Sequence, residues 1–273
     1  MFSIEDGGFL EMNNLLNRDF TLMKYNSLCK ALIDSDYVPL TVVDYLKSNN
    51  DSLKSVVLRH DVDKWPQNAL LMAQIESKFN IKSTYYFRAQ NNVFNPQIIK
   101  KISDLGHEIG YHYETMHKAK GDEESALQIF EANLCKFRDI CKIETICMHG
   151  NSLSKWNNLD LWKHYNYKDY NIIGEAYLSF DFSQILYFSD SGGTWDNSKI
   201  RIKDITVGKS ISSPKEVKNT QDLIELVVNG SANNLYLLSH PDRWNDSLSI
   251  WIYEYMWKKI RNTGKFVVKK IIG

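Results

Sequence analysis

The sequence lacks the features that mark several classes of protein. Its 273 residues include 33 basic and 33 acidic side chains, so no net charge draws the chain toward nucleic acid or an anionic membrane surface. No apolar run approaches the roughly 20 residues of a membrane-spanning helix. The first residues lack the basic segment followed by an apolar one that marks a secretory signal. These absences predict a cytoplasmic protein with no membrane span and no nucleic-acid partner; the oligomeric state stays open.

Cysteine is scarce, and its spacing excludes one kind of metal site. The four cysteines, Cys29, Cys135, Cys141 and Cys147, form no C-x-x-C pair, so a thiolate zinc site is not predicted. They are interpreted as the reduced thiols of a cytosolic protein. Internal repeats and low-complexity linkers are also absent, which favours a single domain.

The apolar pattern alternates between strand-like and helix-like segments. Predicted strands cover 55–60, 82–88, 107–114, 144–149, 234–240 and 265–272; predicted helices cover 21–34, 40–48, 66–79, 95–106, 122–140, 220–229 and 247–262. Strands separated by helices of ten or more residues indicate parallel β/α units. About seven units in this length favour an irregular α/β barrel formed by residues 51–273, with residues 1–50 as a helical segment packed on it.

Histidines and acids collect where the predicted strands end. Five of the seven histidines lie at or just past such an end, which is where barrel enzymes place their active sites. The polar residues at these ends are His60, Asp61 and Asp63; His112, Glu114 and His117; His149, Gly150 and Asn151; and Ser239 and His240. This clustering predicts a functional site at the barrel mouth.

Strand geometry assigns these side chains to faces. In an extended strand Arg59, Asp61 and Asp63 share one face, and His60 points to the other, where a supporting role is expected. Carboxylates and an imidazole together suit Zn²⁺, with Mn²⁺, Co²⁺ and Fe²⁺ as alternatives. A carboxylate that is not a ligand can serve as a general base. His240 precedes a proline, which restricts its backbone and suits a general acid.

Four motifs carry a resemblance to a known family. "LRHDVD", "TYYFR", "GHEIGYHYETMH" and "LLSHPDRW", in this order, resemble the polysaccharide deacetylases, the carbohydrate esterase family with the NodB homology domain. The resemblance covers roughly residues 55–245. It implies a distorted (β/α)7 TIM-like barrel and metal-dependent hydrolysis of an acetyl group on a sugar.

The resemblance also implies roles for individual residues. Asp61 matches the catalytic base and Asp63 the metal-binding aspartate, His112 matches the first histidine of the family's H-x-x-x-H motif, and His240 matches its general acid. The second metal histidine would fall on Met116, so His117 is expected to take its place. Glu114 and His149 are the alternative third ligands.

Substrate contacts are predicted around the same mouth. The family's Arg-x-x-Pro-Tyr motif is replaced by "MHGNSLSKW", whose Gly150 region could supply a backbone N–H to an oxyanion. The residues predicted to bind substrate are Arg59, Arg88, His149, Asn151 and Trp244, with Asp190, Trp195 and Arg243 as further sugar contacts.

The sequence therefore predicts a metal-dependent hydrolase acting on carbon–nitrogen bonds. Its expected substrate is an N-acetylated sugar or polysaccharide precursor, and Zn²⁺ is the expected cofactor. One alternative is an amidohydrolase of the same fold acting on a small ureide-like compound. The other is a non-catalytic carbohydrate-binding protein of a polysaccharide pathway.

Overall fold

Parallel strands form one curled sheet that carries the candidate site on its carboxyl edge. The computed structural model describes residues 18–48, 54–151, 154–195, 216–230, 232–253 and 256. Within these residues the strands are β1 (Val38–Leu40), β2 (Ser55–Val62), β3 (Thr84–Arg88), β4 (Glu108–Tyr113), β5 (Thr145–Met148), β6 (Gly174–Glu175), β7 (Leu186–Ser189) and β8 (Asn234–Ser239). Their order is β6-β5-β4-β3-β2-β8-β7, with β1 also paired to β2, and every pairing is parallel.

Helices connect most of these strands. They are α1 (Leu22–Ile33), α2 (Val42–Lys47), α3 (Pro66–Lys78), α4 (Pro96–Asp104), α5 (Thr115–Lys118), α6 (Glu123–Arg138) and α7 (Thr220–Val228). Side-chain caps fix several of their first turns; Asn95, for example, accepts a hydrogen bond from the N–H of Ile98 at the start of α4. The predicted distorted (β/α)7 barrel is thereby confirmed as a curled half-barrel of parallel strands with helices.

Strand β2 shows how the sheet separates two environments. All eight of its residues are buried. Val57 packs in one apolar cluster, and its neighbours Val56 and Leu58 pack in another. The alternation continues into the polar end of the strand, as the period of two requires. Arg59 and Asp61 therefore follow Val57 toward the barrel interior, and His60 points toward the helices.

The sequence located the helices well and missed the shortest strands. Every predicted helix from 21–34 to 220–229 is present within two residues of its expected ends. Strands β1, β6 and β7 were not predicted. The helix predicted over 247–262 is helical at 248–253 and 256, while its other residues and the strand predicted over 265–272 lie outside the described residues.

The N-terminal segment contributes to the sheet as well as to its cover. Strand β1 pairs with β2 from Val38↔Ser55 to Leu40↔Val57, and Tyr25 of α1 packs edge-on against His60. The proposed division of the chain at residue 50 stays a prediction. In the part of the chain that the structure describes, no helix has the length and apolar character needed to cross a membrane.

A buried carboxylate, Glu76, anchors α3 to the back of the sheet. It is inaccessible to solvent and bonds to His60 Nε2 at 2.8 Å, while the hydroxyls of Ser83 and Tyr85 each donate to it at 2.6 Å and Tyr25 also donates. Burial raises the pKa of Glu76, whereas the charge of His60 and these hydrogen bonds lower it, to about 2 overall. Glu76 is therefore an ionised structural group, and His60 belongs to its network.

We expect Glu76→Gln to lower the free energy of unfolding by about 3 kcal/mol at neutral pH, because an amide cannot replace a carboxylate that accepts several charge-assisted hydrogen bonds. Chemical denaturation measures the loss. Glu131→Gln, an exposed change on α6, is the matched control and should stay within about 0.5 kcal/mol of wild type.

The acid dependence of stability has a definite sign. The pKa of Glu76 is about 2 in the folded protein and about 4.3 in an unfolded chain. Its stabilisation is therefore complete above pH ~4.3 and is lost as the pH falls toward 2. Glu76→Gln should remove this component of acid unfolding, and an identical acid profile for variant and wild type would contradict the assignment.

Candidate metal centre and active site

Arg59 and Asp61 form a buried ion pair inside the barrel mouth. The guanidinium donates from Nε to Asp61 Oδ1 at 2.8 Å and from Nη2 to Oδ2 at 2.6 Å. It also donates to Cys147 Sγ at 2.6 Å and lies 4.4 Å from the ring centre of Tyr177. Arg59 is fully buried, so the predicted contact of Arg59 with substrate is replaced by a different role: it fixes the orientation of Asp61.

The same ion pair sets the charge of Asp61. Burial raises the pKa of this carboxyl, but the charge and hydrogen bonds of Arg59 and the charge of His112 lower it below its ordinary value. Asp61 is therefore an ionised carboxylate held in one rotamer. Such a group can accept a proton from a water molecule placed above it.

Asp63, His112 and His149 converge on one point at the mouth. Asp63 follows β2, His112 is on β4 and His149 follows β5. Asp63 Oδ1 lies 3.5 Å from His112 Nε2 and 3.3 Å from His149 Nε2, and the three possible ligand atoms lie within 4.8 Å of one another. A tetrahedral zinc ion with bonds of about 2.0–2.1 Å needs ligand atoms about 3.4 Å apart.

The hydrogen bonds of these three groups fit a divalent metal ion. His112 Nδ1 lies 3.0 Å from the carbonyl oxygen of Cys147, to which it donates, so the lone pair is on Nε2. His149 Nδ1 faces Glu114 Oε2 at 3.7 Å, which leaves its Nε2 toward Asp63. Asp63 Oδ1 is buried and receives no hydrogen bond of ordinary geometry. The donor set, two imidazoles and a carboxylate, matches the known preferences of zinc.

Charge around Asp63 favours the ionised ligand. Burial raises the pKa of Asp63, but the charges and contacts of His149 and His112 lower it well below its ordinary value. Asp63 is therefore a carboxylate before any ion binds. Burial of this carboxylate costs desolvation free energy, and a cation bound between the three ligand atoms would offset that cost.

A second possible ligand group shares His112 but is less suitable. Asp61, His112 and Cys147 also bring ligand atoms within 4.8 Å of one another. The guanidinium of Arg59, however, already contacts both Asp61 and Cys147. Burial raises the pKa of the Cys147 thiol well above its ordinary value, which disfavours the thiolate that a metal requires.

The structure does not bring His117 into the group around Asp63. His117 lies on α5, where its Nδ1 is 3.0 Å from Ser154 Oγ and its Nε2 is 3.4 Å from Asn151 Nδ2. The chain turns from strand into helix between His112 and His117, and His117 has no ligand atom in the group around Asp63. His149, which the sequence offers as an alternative, lies in the group with Asp63 and His112 instead.

Glu114, the other alternative ligand, forms ion pairs with two cationic side chains. It accepts from Arg88 Nη2 at 2.6 Å and from Gln90 Nε2 at 2.8 Å, and it pairs with Lys118 at 2.9 Å. Burial raises the pKa of Glu114, while Arg88 and Lys118 lower it, to about 2 overall. Glu114 lies beside His149 Nδ1 and is outside the group formed by Asp63, His112 and His149. A substrate contact for Arg88 or Asn151 stays a prediction.

His240 is held by a buried acid, Asp190, that follows β7. His240 Nδ1 lies 2.6 Å from Asp190 Oδ1 and donates to it, and the backbone N–H of His240 donates to Oδ2 at 2.8 Å. Arg243 and Trp244 Nε1 also donate to Asp190, at 2.8 and 3.1 Å. This network fixes the tautomer of His240 and leaves its Nε2 edge for a reacting group.

Three of the predicted sugar contacts are therefore corrected. Asp190, Trp195 and Trp244 have no accessible surface, because the acid binds His240 and the two indole rings pack in the core behind it. The sequence missed Asp190 as the partner of His240. The signal was present, since the apolar run 185–188 ends in a serine and an acid, as a strand entering a barrel mouth does.

The pKa of His240 follows from the same contacts. Burial and Arg243 lower it, but the charge and hydrogen bond of Asp190 raise it above its ordinary value overall. A raised pKa keeps the ring protonated to a higher pH than a free imidazole. His240 is therefore suited to donate a proton, and Asp61 to accept one.

Comparisons with known proteins add a similarity of fold. No family model matches the sequence, and no curated protein matches it. A CE4 family pseudoenzyme from Bacillus anthracis has 14% identity, a TM-score of 0.44 and coverage of 79% of this chain and 63% of that one. A peptidoglycan N-acetylglucosamine deacetylase has 15% identity, a TM-score of 0.43 and coverage of 85% and 89%.

Another solved structure of this kind is the peptidoglycan deacetylase PdaC from Bacillus subtilis, in a mutant form. It has 13% identity, a TM-score of 0.38 and coverage of 78% of this chain and 98% of that one. The chain spans just under two thirds of the length of the first pseudoenzyme structures it matches. Asp61, Asp63, His112, His149 and His240 of this chain are the residues from which a function is inferred.

Proposed function

We propose that this protein is a metal-dependent hydrolase that removes an acetyl group from the nitrogen of an N-acetylated sugar. The proposal rests on one observation: a set of possible metal ligands and an acid–base pair lie around the same point. Asp63, His112 and His149 supply a ligand set with Zn²⁺ spacing. Asp61 and His240, each fixed by a buried partner, supply a base and an acid beside it.

A bound Zn²⁺ would polarise the acetyl carbonyl and lower the pKa of water at this place. Asp61 accepts the proton of the attacking water, and its salt bridge with Arg59 keeps the accepting oxygen in position. The N–H of Gly150, an exposed residue that follows His149, would donate to the developing oxyanion. His240 donates a proton from Nε2 to the leaving nitrogen, because Nδ1 is committed to Asp190.

A sugar substrate is supported by the sequence motifs that resemble polysaccharide deacetylases. The acid–base pair suits amide hydrolysis, since an amine leaves only when it is protonated. Action in the cytoplasm stays a prediction.

Acetate release tests the proposal. The purified protein is loaded separately with Zn²⁺, Mn²⁺ and Co²⁺ and given N-acetylglucosamine, its oligomers and a panel of ureides. We expect acetate from an N-acetylated sugar and loss of that activity after chelation. Turnover of ureides alone would favour the amidohydrolase alternative, and sugar binding without turnover would favour the non-catalytic one.

The contact between Asp190 and His240 predicts a change in pH dependence. Because Asp190 raises the pKa of His240, activity that needs protonated His240 persists to a higher pH in the wild type. We expect Asp190→Asn to move the alkaline limb of kcat/KM to lower pH and to reduce kcat by about a hundredfold or more, with little change in KM.

The pH profile separates this positioning role from a merely structural one. Loss of fold would lower the amount of active enzyme at every pH without moving the limb. An Asp190→Asn enzyme with a wild-type alkaline limb would contradict the assignment of His240 as the acid that Asp190 tunes.

A further inference from the structure

Asp242 is a buried acid whose carboxyl group lacks a donor within the described residues. The residue is 5% exposed, and its Oδ1 is buried without a hydrogen-bond partner in that part of the chain. The buried acids Asp61, Glu76 and Asp190 differ, because each accepts two or more hydrogen bonds from neighbouring groups. A buried acceptor costs free energy unless a donor reaches it, so Asp242 needs a donor from outside the chain.

The position of Asp242 relative to the proposed acid is fixed by a tight turn. Asp242 is two residues after His240, in the 3-10 turn Pro241–Arg243 that follows β8. Arg243 N donates to the carbonyl of His240 at 3.0 Å, and Asn68 Nδ2 donates to the carbonyl of Pro241 at 3.2 Å. The Cα atoms of His240 and Asp242 are therefore within about 7 Å of each other.

The charges that act on Asp242 show that its carboxyl group is near the reacting groups. Burial raises the pKa of Asp242, Arg243 lowers it, Asp63 raises it and His240 lowers it, to about 6 overall. Arg243 forms its ion pair with Asp190, to which Nη1 donates at 2.8 Å. At neutral pH Asp242 is therefore largely ionised, and the charges of Asp63 and His240 reach it.

The proposed reaction brings a suitable donor to this place. His240 offers Nε2 to the leaving group, because its Nδ1 donates to Asp190. The nitrogen of an acetamide carries an N–H, and after cleavage it becomes an amine that can be protonated. The corresponding oxygen of an acetyl ester carries no hydrogen. A site built to accept a hydrogen bond from a substrate N–H disfavours the analogue that lacks it, because the buried acceptor is then left without a partner.

We propose that Asp242 accepts a hydrogen bond from the nitrogen of the scissile amide, so that it selects N-acetyl over O-acetyl groups and holds the amine that is released. The inference rests on the proposed function in one respect, that the leaving nitrogen lies at His240.

A matched pair of amide and ester substrates tests this selection. The zinc-loaded protein is given methyl 2-acetamido-2-deoxyglucoside and methyl 2-O-acetylglucoside, and acetate release is measured. We expect Asp242→Ala to lower kcat/KM at least about thirtyfold for the amide and less than about threefold for the ester. The retained ester activity shows that the variant is folded. Asp242→Asn keeps an oxygen acceptor and should retain more of the amide activity than Asp242→Ala does.

Binding of the amine product gives a second readout that requires no turnover. The zinc-loaded protein is titrated at neutral pH with methyl glucosaminide and with methyl glucoside in a calorimeter. We expect wild type to bind the amine at least about fivefold more tightly, because a carboxylate binds a protonated amine by a charge-assisted hydrogen bond. Asp242→Asn should reduce this preference to less than about twofold, because asparagine carries no charge.

The control is Asp246→Ala, an exposed aspartate four residues further on, which should match wild type in both experiments. Equal loss of amide and ester activity in Asp242→Ala, or a wild-type ratio of the two, would overturn the role of Asp242. An amine preference that Asp242→Asn leaves unchanged would also overturn it. A wild-type protein that releases no acetate from either substrate would refute the proposed function, and the titration alone would then test Asp242.

Discussion

Replacing His149 with alanine is expected to lower the affinity for Zn²⁺ at least about a hundredfold. His149 Nε2 lies 3.3 Å from Asp63 Oδ1 in the group that includes His112, so the variant would lose one of three proposed protein ligands. Changes to groups that only support a ligand already cost about 10–100-fold in affinity. Competition titration with a chromophoric chelator measures the dissociation constant.

His117→Ala is the matched control for this experiment. The sequence motif alone predicts His117 as the third ligand, whereas the structure has it bonded to Ser154 and Asn151. We expect the His117→Ala variant to bind Zn²⁺ within about threefold of wild type. A large loss in His117→Ala with no loss in His149→Ala would restore the motif-based ligand set and refute the geometric one.

Asp61→Asn is expected to lower kcat about 10²–10⁴-fold, the range that a positioned general base contributes. Asparagine has nearly the same shape and can still accept the hydrogen bond from Arg59 Nε, but it cannot take a proton from water. The Zn²⁺ affinity should remain within a few-fold of wild type, because Asp61 is not in the group of Asp63, His112 and His149.

Measuring kcat and metal affinity on the same preparation makes this prediction decisive. Loss of activity together with loss of zinc would mean that Asp61 is a ligand, as in the group that also contains Cys147. Retention of most of the activity would remove Asp61 from the mechanism. The thermal unfolding temperature of the variant shows how much stability is lost when the buried Arg59 no longer pairs with a carboxylate.

The fold was largely predictable because its pattern is local. Several helices could be predicted from their capping residues and from prolines in their first turns, such as Asn95 and Pro96. Strand β2 could be predicted from its apolar run. Strand β6 was missed because its two residues show no period, and the short apolar run of β7 was not recognised as a strand. They become strands only by pairing with β5 and β8, a tertiary effect.

The site was predictable where a residue ends a strand and not where a loop decides its direction. Asp61, Asp63, His112 and His240 end or follow strands, so period and position place them. His117 and His149 both lie past strand ends, and only the three-dimensional course of the chain decides which one reaches Asp63. The backbone of His149 is held in place by two hydrogen bonds, from His149 N to Tyr113 O and from Asn158 Nδ2 to His149 O.

Partners of charged groups were the hardest to predict. Arg59 and Asp190 were expected to face substrate, because charged residues near an active site commonly do so. Both are fully buried and act on another site residue, Arg59 on Asp61 and Asp190 on His240. Their burial depends on the packing of Tyr177 and Trp244, which are distant in sequence.

X-ray absorption at the zinc K-edge tests the central claim, that Asp63, His112 and His149 hold the metal ion. The wild-type spectrum is predicted to show two imidazole ligands, oxygen in the remaining positions and no sulfur, and His149→Ala is predicted to lose one imidazole. A sulfur shell near about 2.3 Å would instead place the ion at Asp61, His112 and Cys147 and contradict the account.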